Sequence, residues 1–321
     1  MKKEMFLAAD IGGTAVKIGL ADEKGVFCHT AEYAVDFDGY RTPILDSVLK
    51  SCSAFLQEFN VDIRYVSGIG VSATGSINTR KGTEDGGGAH IPNWVGSRIR
   101  EEMEALFHIP VFVLNDANAA VLGEMWLGAA AGRRHVVMLT VGTGIGGGII
   151  TDSRLLLGAS GFAGEIGKMF FCRGVAFCSR GDTGYLEEYA SMSALVRRVR
   201  QAGDAGEIPP DIFPGGEING RRIFAAMGKG NVRLERIVDG WMDCIAAGVA
   251  GLVHVFNPET VIIGGGVSSQ KELFIDRVRQ KALERMRPEF AEHLEITAAK
   301  LANNAGMAGA VYYCMQKLGE A

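Results

Sequence analysis

The sequence has little proline, no closely paired cysteines, and no long run of basic or apolar residues. Proline occurs 8 times in 321 residues and no Gly-X-Y period is present, which excludes a collagen-like chain. The 6 cysteines form no CxxC pair, so free thiols in a reducing compartment are favoured over a disulfide framework. No run of five Lys or Arg and no apolar run of 18 residues occurs. We therefore expect a cytoplasmic protein that binds a small molecule, with no nucleic-acid or membrane partner.

Glycine, in contrast, is abundant, at 44 residues, which predicts many tight backbone turns. Hydrophobic residues make up 47% and charged residues 22%, as in soluble globular proteins, and this excludes intrinsic disorder. The net charge is −4. At roughly 150 residues per domain, the length predicts two domains.

Two segments, 6–22 and 136–152, resemble each other: each has an apolar run, a Gly/Thr turn and a second apolar run. We interpret both as β-hairpins and expect two related halves. Elsewhere the pattern alternates between helices and strands, as in an α/β protein. The predicted helices are 42–59, 97–107, 186–202, 218–229, 232–256, 270–287 and one from about 304, and the further predicted strands are 65–72, 111–114, 261–266 and 294–299.

The first hairpin contains DIGGT, in which Asp10 ends a strand and Gly12, Gly13 and Thr14 form the turn. Exposed amides in such a turn can hold a phosphate, and a carboxylate can hold the Mg²⁺ that accompanies it. The alternative is an ordinary hairpin turn.

The second hairpin contains VGTGIGGG, which matches G-x-G-x-x-G at Gly142, Gly144 and Gly147, with Glu165 18 residues further on. A dinucleotide site needs a helix directly after this loop, whereas an apolar strand-like run follows here. We therefore favour a second phosphate-binding hairpin over a nicotinamide site.

The segment NDANAA follows an apolar strand and opens a helix, at Asn115 and Asp116. Either residue could cap that helix. Asp116 could instead be a general base, since a substrate hydroxyl becomes a good nucleophile when a carboxylate accepts its proton.

Five motifs occur in the order DIGGT, NDANAA, GTGIGGG, GEIG (164–167) and IIGGGV (262–267), and together they resemble the ROK sugar kinases and their repressor relatives. The resemblance implies a two-domain α/β fold of the actin-like ATPase (ribonuclease H-like) type. One lobe would comprise residues 1–115 and 303–321, and the other residues 116–302. It also implies ATP and Mg²⁺ as cofactors, a sugar substrate and a homodimer.

Carried over residue by residue, the resemblance gives each motif a role. Asp116 would be the catalytic base. Phosphate and Mg²⁺ would bind at Asp10, Gly12, Gly13 and Thr14, the second phosphate turn would use Thr143 and Gly144, and the nucleoside would lie beside Gly265 and Gly266. The sugar would be held by Asn93, Asn115, Asp116, Glu165, Lys168 and Glu187.

The sequence departs from the family pattern where ROK proteins carry a zinc site. Lys168 replaces the histidine ligand, and of the cysteine ligands only Cys178 remains, because Arg180 and Tyr185 occupy the next two positions. We expect no structural zinc, because an ammonium group opposes a dication. Lys168 would instead pair with Glu165 or Glu187. In the alternative, it points to solvent and the loop is held by packing of Phe170, Phe171 and Tyr185.

This loss of zinc ligands, together with GGGAHIPNW at 86–94, resembles a branch that includes β-glucoside and N-acetylmannosamine kinases. Two other functions remain open. A sugar-responsive repressor would need a DNA-binding segment, and only nine residues precede Asp10. A nicotinamide-dependent oxidoreductase would use the glycine motif of the second hairpin.

Overall fold

Two five-stranded sheets form the frame of the chain, of which a computed structural model describes residues 4–36, 38–87, 91–171 and 184–320. The first sheet has the order β3-β2-β1-β4-β7 and the second the order β10-β9-β8-β11-β12. In the first sheet β1 pairs antiparallel with β2 and parallel with β4; in the second, β8 pairs parallel with β11. The strands are β1 Met5–Ile11, β2 Ala15–Asp22, β3 Phe27–Ala34, β4 Val66–Ala73, β5 Ile77–Asn78, β6 Thr83–Glu84, β7 Val111–Asn115, β8 Val136–Val141, β9 Ile145–Thr151, β10 Arg154–Leu155, β11 Thr260–Gly264 and β12 Glu295–Ala298.

The two sheets share one strand plan, a hairpin followed by two parallel strands, which agrees with the predicted duplication. Helices connect the strands, so the predicted α/β class is confirmed. They are α1 Ile44–Glu58, α2 Ile99–Phe107, α3 Asp116–Leu127, α4 Leu186–Ala190, α5 Met192–Asp204, α6 Gly220–Ala226, α7 Val232–Phe256, α8 Asp276–Leu283, α9 Pro288–Ala291 and α10 Ala305–Gly319.

The single helix predicted at 186–202 is wrong, because the chain breaks at Ser191 between α4 and α5. Ser191 has extended backbone, and its hydroxyl accepts a hydrogen bond from the amide of Ala194, so it is the N-cap of α5. Its carbonyl accepts a 2.9 Å hydrogen bond from the indole of Trp241. An N-cap serine inside a continuous amphipathic pattern starts a new helix.

Contacts divide the chain into two compact units. The first contains residues 1–132, 148–164 and 303–321, and the second contains residues 133–147 and 165–302. This division places α3 in the first unit, whereas the lobe boundary predicted from the sequence separates it from residues 1–115. The reason is packing: an added Cβ at Gly309 of α10 would overlap the carbonyl oxygen of Ala119 in α3, so the two backbones touch.

The core of the second unit is built on α7, a 25-residue helix. By length and composition α7 could cross a membrane, yet 61% of the 18-residue apolar stretch within it is buried inside the protein. Trp241 of α7 is fully buried and stacks on Phe274 with a ring-centroid distance of 5.3 Å. Its apolar composition is accounted for by this packing, as in the core helices of water-soluble proteins.

Candidate active site

The turn of the first hairpin is closed by one backbone hydrogen bond, from the amide of Gly12 to the carbonyl of Ala15 at 2.9 Å. Among the described residues, no backbone carbonyl accepts from the amide of Gly13 or of Thr14. Thr14 is also exposed. The turn therefore presents two amides and a hydroxyl, the donors that an anion-binding nest requires.

Asp10 lies beside this turn, one residue before the end of β1. The hydroxyl of Ser72 in β4 donates a 2.6 Å hydrogen bond to its Oδ1. An added Cβ at Gly306 of α10 would lie 2.8 Å from the same oxygen, so the helix backbone covers one side of the carboxyl group. Burial raises the pKa of Asp10 above its ordinary value, although Ser72 and Lys17 oppose the shift. A buried carboxylate that gains from a compensating cation suits a Mg²⁺ ligand.

Asn115 and Asp116 lie at the same sheet edge as Asp10, because β1, β4 and β7 are parallel and their carboxyl ends meet there. Asn115 is the N-cap of α3: its Oδ1 accepts from the amide of Ala117 at 2.9 Å, and its Nδ2 donates to the carbonyl of Gly75. Asp116 is the first residue of α3 and is exposed. The amide of Ala117 also donates to Oδ1 of Asp116 at 2.8 Å. Because Asn115 accepts from the amides of both Ala117 and Asn118, the cap does not depend on the carboxylate of Asp116.

Asn93 belongs to the same unit and has a left-handed backbone, with φ of 57°. Its Nδ2 donates a 3.1 Å hydrogen bond to the carbonyl of Tyr40. The hydroxyl of Tyr40 in turn donates to the carbonyl of Gly13 at 3.0 Å. The structure thus connects Asn93, predicted to bind the sugar, with the turn predicted to bind phosphate, through a tyrosine that sequence analysis did not identify.

The predicted residues of the second unit form another group around the turn between β8 and β9. Here the amide of Gly142 donates to the carbonyl of Gly144 at 3.0 Å. A Cβ added at Gly144 would lie 2.8 Å from Oε2 of Glu187. A Cβ at Gly167 would overlap the carbonyl oxygen of Ile145, so the 165–168 segment packs directly on the start of β9.

Lys168 forms an ion pair with Oε1 of Glu187, and its ammonium group lies 5.5 Å from the centroid of the Tyr185 ring. The hydrogen bond to Glu187 raises the pKa of Lys168. Desolvation raises the pKa of Glu165, the charge of Lys168 lowers it, and that of Glu187 raises it further. Of the two partners predicted for Lys168, the structure gives Glu187 the hydrogen bond.

The aromatic packing offered as the alternative is also present: Phe170 forms a β-bridge with Tyr185, and the ring of Phe171 lies 5.7 Å from that of Tyr189. Cys178 and Arg180, on which the expected absence of zinc depends, lie outside the described residues. That expectation stays a prediction.

Gly265 and Gly266 follow β11, and Gly266 lines a cavity of about 1170 Å³ in the second unit. Gly265 has φ of 90°, and an added Cβ would overlap the carbonyl oxygen of Val141, so glycine is required there. The described residues that line the cavity include no Asp or Glu, but they include Thr143, Gly266 and three arginines. These are Arg197 and Arg200 of α5 and Arg221 of α6.

Sequence analysis missed these arginines. The only local signal was RRVR at 197–200, where residues three apart share one face of a helix. A large cavity of cationic character beside a glycine-rich turn suits an anionic nucleotide.

Comparison with known proteins identifies the family. The model of the ROK family matches residues 6–317. The chain belongs to the ROK family. Among its ROK relatives, the beta-glucoside kinase of Listeria innocua is 35% identical over 97% of each chain, and the glucokinase of Thermotoga maritima is 31% identical over 99% of this chain and 100% of its own.

A solved ROK structure extends the comparison to three dimensions. The ROK family glucokinase from Streptomyces griseus, in complex with glucose and AMPPNP, is 30% identical with a TM-score of 0.78, over 97% of this chain and 99% of that one. The fold of this ROK chain is therefore the actin-like ATPase fold, as the sequence resemblance implied.

Proposed function

We propose that this ROK chain phosphorylates a hydroxyl of a hexose or hexose derivative with ATP. The observation that carries the proposal is the presence of two glycine-turn hairpins at equivalent positions of one repeated sheet plan, the first with Asp10 at its base. The sugar kinases named among the relatives, and the neighbour solved with glucose and AMPPNP, support the same activity. The negative net charge and the free thiols of the four described cysteines suit a cytoplasmic enzyme.

In this reaction Asp116 is the general base. Its exposed carboxylate accepts the proton of the sugar hydroxyl, whose oxygen then attacks the γ-phosphorus of ATP, and the bond from that phosphorus to the β-γ bridging oxygen breaks to release ADP. Because Asn115 supplies the cap of α3, Asp116 can take up a proton without uncapping the helix.

Each of the two turns is a phosphate-binding element. The amides of Gly13 and Thr14 serve as donors in the first turn, and Thr143 and Gly144 form the second. Asp10 fits a Mg²⁺ ligand, because its buried carboxyl group accepts a bond from Ser72 and still has a second oxygen to offer. Mg²⁺ bound there would neutralise charge on the phosphates. The nucleoside lies in the cavity beside Gly265 and Gly266, with the arginines of α5 and α6 on its wall.

The sugar is held by residues whose polar atoms match hydroxyl groups. Asn93 keeps its Oδ1 as an acceptor, because its Nδ2 faces the carbonyl of Tyr40. Asn115 has both lone-pair positions of Oδ1 occupied by amides and offers one remaining N–H. Glu165 and Glu187 offer carboxylate acceptors and Lys168 an ammonium donor, groups that also match sugar hydroxyls.

The activity is tested with glucose, N-acetylmannosamine and cellobiose in turn, each with MgATP, by an assay that couples ADP release to a chromogenic reaction. We expect sugar-dependent ADP release with one of them. Sugar binding without turnover would favour a regulator, and quenching of NADH fluorescence with no effect of ATP would favour an oxidoreductase. Size-exclusion chromatography tests the homodimer that we propose from the family resemblance.

A further inference from the structure

Tyr40 lies at the tip of a turn that its neighbours hold in place. The carboxylate of Asp38 accepts hydrogen bonds from the amide and the hydroxyl of Thr42, at 3.0 and 2.7 Å. The carbonyl of Asp38 accepts a bond from the guanidinium of Arg41. Tyr40 itself has a left-handed backbone, with φ of 61°. This conformation is costly for an aromatic residue and persists where the surroundings fix it.

The hydroxyl and the carbonyl of Tyr40 are both hydrogen-bonded, and they bond to different parts of the proposed site. Its hydroxyl donates to the carbonyl of Gly13 in the first phosphate turn, and its carbonyl accepts from Nδ2 of Asn93. The assignment of the Asn93 amide is forced by chemistry, because a carbonyl oxygen can bond only to the nitrogen of that group.

The segment that carries Asn93 is anchored on both sides. Trp94 is fully buried, and its indole donates a 2.9 Å hydrogen bond to the carbonyl of Thr74. The Cδ1 atom of Ile91 would lie 3.4 Å from a Cβ built on Gly13, so the segment also packs on the phosphate turn. Each end of the path from Asn93 through Tyr40 to Gly13 therefore lies in a segment held by hydrogen bonds or packing.

The hydrogen bond from the Tyr40 hydroxyl fixes the whole peptide unit between Gly13 and Thr14. The peptide unit is planar and trans, so the carbonyl of Gly13 and the amide N–H of Thr14 point in opposite directions. Holding the Gly13 carbonyl therefore aims the Thr14 amide, one of the proposed phosphate donors. A sugar that orders Asn93 would order this amide through Tyr40.

We infer that Tyr40 is a positioning residue that couples sugar binding at Asn93 to nucleotide binding at the Thr14 amide; this inference rests on the proposed function. Coupling of this kind is reciprocal: the sugar strengthens nucleotide binding by the same factor by which the nucleotide strengthens sugar binding.

The test is calorimetric titration of the full chain with Mg²⁺ and AMPPNP, with and without a saturating amount of the panel sugar that the wild type phosphorylates fastest. The measured quantity is the dissociation constant of AMPPNP without sugar divided by its dissociation constant with sugar. Tyr40→Phe removes only the hydroxyl. The matched control is Tyr33→Phe, because the hydroxyl of Tyr33 donates to Glu58 at the same distance of 3.0 Å.

We expect the ratio in Tyr40→Phe to fall about three- to tenfold towards one, the worth of a single neutral hydrogen bond. Tyr33→Phe should keep the wild-type ratio, and Asn93→Ala combined with Tyr40→Phe should lower it no further than either change alone. Three results would each overturn the coupling alone. The first is an unchanged ratio in Tyr40→Phe, and the second is an equal change in both tyrosine variants. The third is a ratio of one in the wild-type protein, with both ligands bound. A wild-type chain that binds neither AMPPNP nor any panel sugar would overturn the proposed kinase as well.

Discussion

Lys168 donates a hydrogen bond to one carboxylate oxygen of Glu187. The other oxygen of that carboxylate lies against the second phosphate turn, where a Cβ on Gly144 would approach it to 2.8 Å. The pair therefore connects the 165–168 loop with the β8–β9 turn inside one unit.

Replacing Lys168 with Ala should raise the KM for sugar about three- to tenfold and leave the KM for ATP within about twofold, because the lost donor belongs to the proposed sugar side. Loss of the ammonium also removes the charge that lowers the pKa of Glu165, so the carboxylate should protonate at higher pH. Steady-state kinetics with each substrate varied in turn provides the measurement.

The control is Lys317→Ala, because Lys317 also pairs with a glutamate, Glu320, but belongs to α10 in the other unit. It should leave both KM values unchanged. An unchanged sugar KM in Lys168→Ala would mean that the ion pair only supports the loop.

Asp116→Asn should lower kcat by about 10²- to 10⁴-fold while the sugar affinity and the melting temperature stay near the wild-type values. Asn115→Ala, in contrast, should lower the free energy of unfolding by about 1 kcal/mol, because it removes the N-cap of α3. That corresponds to a melting temperature roughly 2–4 °C lower. Near wild-type turnover in Asp116→Asn would rule out Asp116 as the base.

Patterns of local sequence predicted the elements whose cause is local. The hairpins followed from apolar runs around Gly/Thr turns, and α7 was predicted at its observed bounds, Val232–Phe256, because apolar residues recur with helical spacing over its length. The break at Ser191 was missed because local sequence does not show whether a helix continues through this serine or begins after it.

Contacts between distant segments could not be predicted in this way. Tyr40 lies in a short polar segment without periodicity, and nothing local shows that its hydroxyl meets Gly13, 27 residues away. The arginines of the cavity wall belong to α5 and α6, which reach Thr143 only through folding of the second unit. The departure of Lys168 from a family pattern is visible in the sequence, but the sequence leaves both Glu165 and Glu187 possible as its partner.

The purified chain should contain no stoichiometric zinc, and chelation followed by replacement of Mg²⁺ should restore full activity. The reason is the ligand set: an ammonium group paired with a carboxylate stands where a histidine nitrogen would be needed. Lys168→His should not restore a metal site, because the family resemblance puts Arg180 and Tyr185 at two further ligand positions. Elemental analysis showing one zinc per chain, lost on replacing Cys178, would contradict this prediction.

Gly309→Ala should destabilise the first unit by about 2 kcal/mol or more, because the added methyl group meets the backbone of α3, which cannot move aside as a side chain could. Gly319→Ala is the matched control in the same helix, since no atom lies within 4 Å of its Cβ position. It should change stability by less than about 0.5 kcal/mol. Denaturant unfolding of both variants is the measurement, and equal midpoints would show that α3 and α10 can separate at little cost.

Asp10→Asn should separate function from stability. The neutral amide keeps an oxygen for the Ser72 hydroxyl, so the fold should persist, but it is a poor Mg²⁺ ligand. We expect kcat/KM for MgATP to fall on the order of 100-fold. The matched control is Asp62→Asn, a partly exposed aspartate of the same unit. The pKa of Asp62 is lowered, first by its hydrogen bond with Arg64, and this variant should retain activity.

The same substitution should raise the melting temperature of the metal-free protein at neutral pH. Burial lifts the folded-state pKa of Asp10 above its ordinary value of 3.8, so the folded chain holds this proton more tightly than the unfolded chain does. The stability that this group contributes is complete below the unfolded pKa and is lost as the pH rises through the folded pKa. At pH 7 the ionised carboxylate therefore costs stability that the amide does not, and the advantage of Asp10→Asn should shrink as the pH is lowered. Asp62→Asn should show no such gain, because a lowered pKa reverses the sign. Melting curves without Mg²⁺ from pH 5 to 8 measure both variants, and a lower melting temperature for Asp10→Asn across that range would show that the buried charge is compensated by the protein itself.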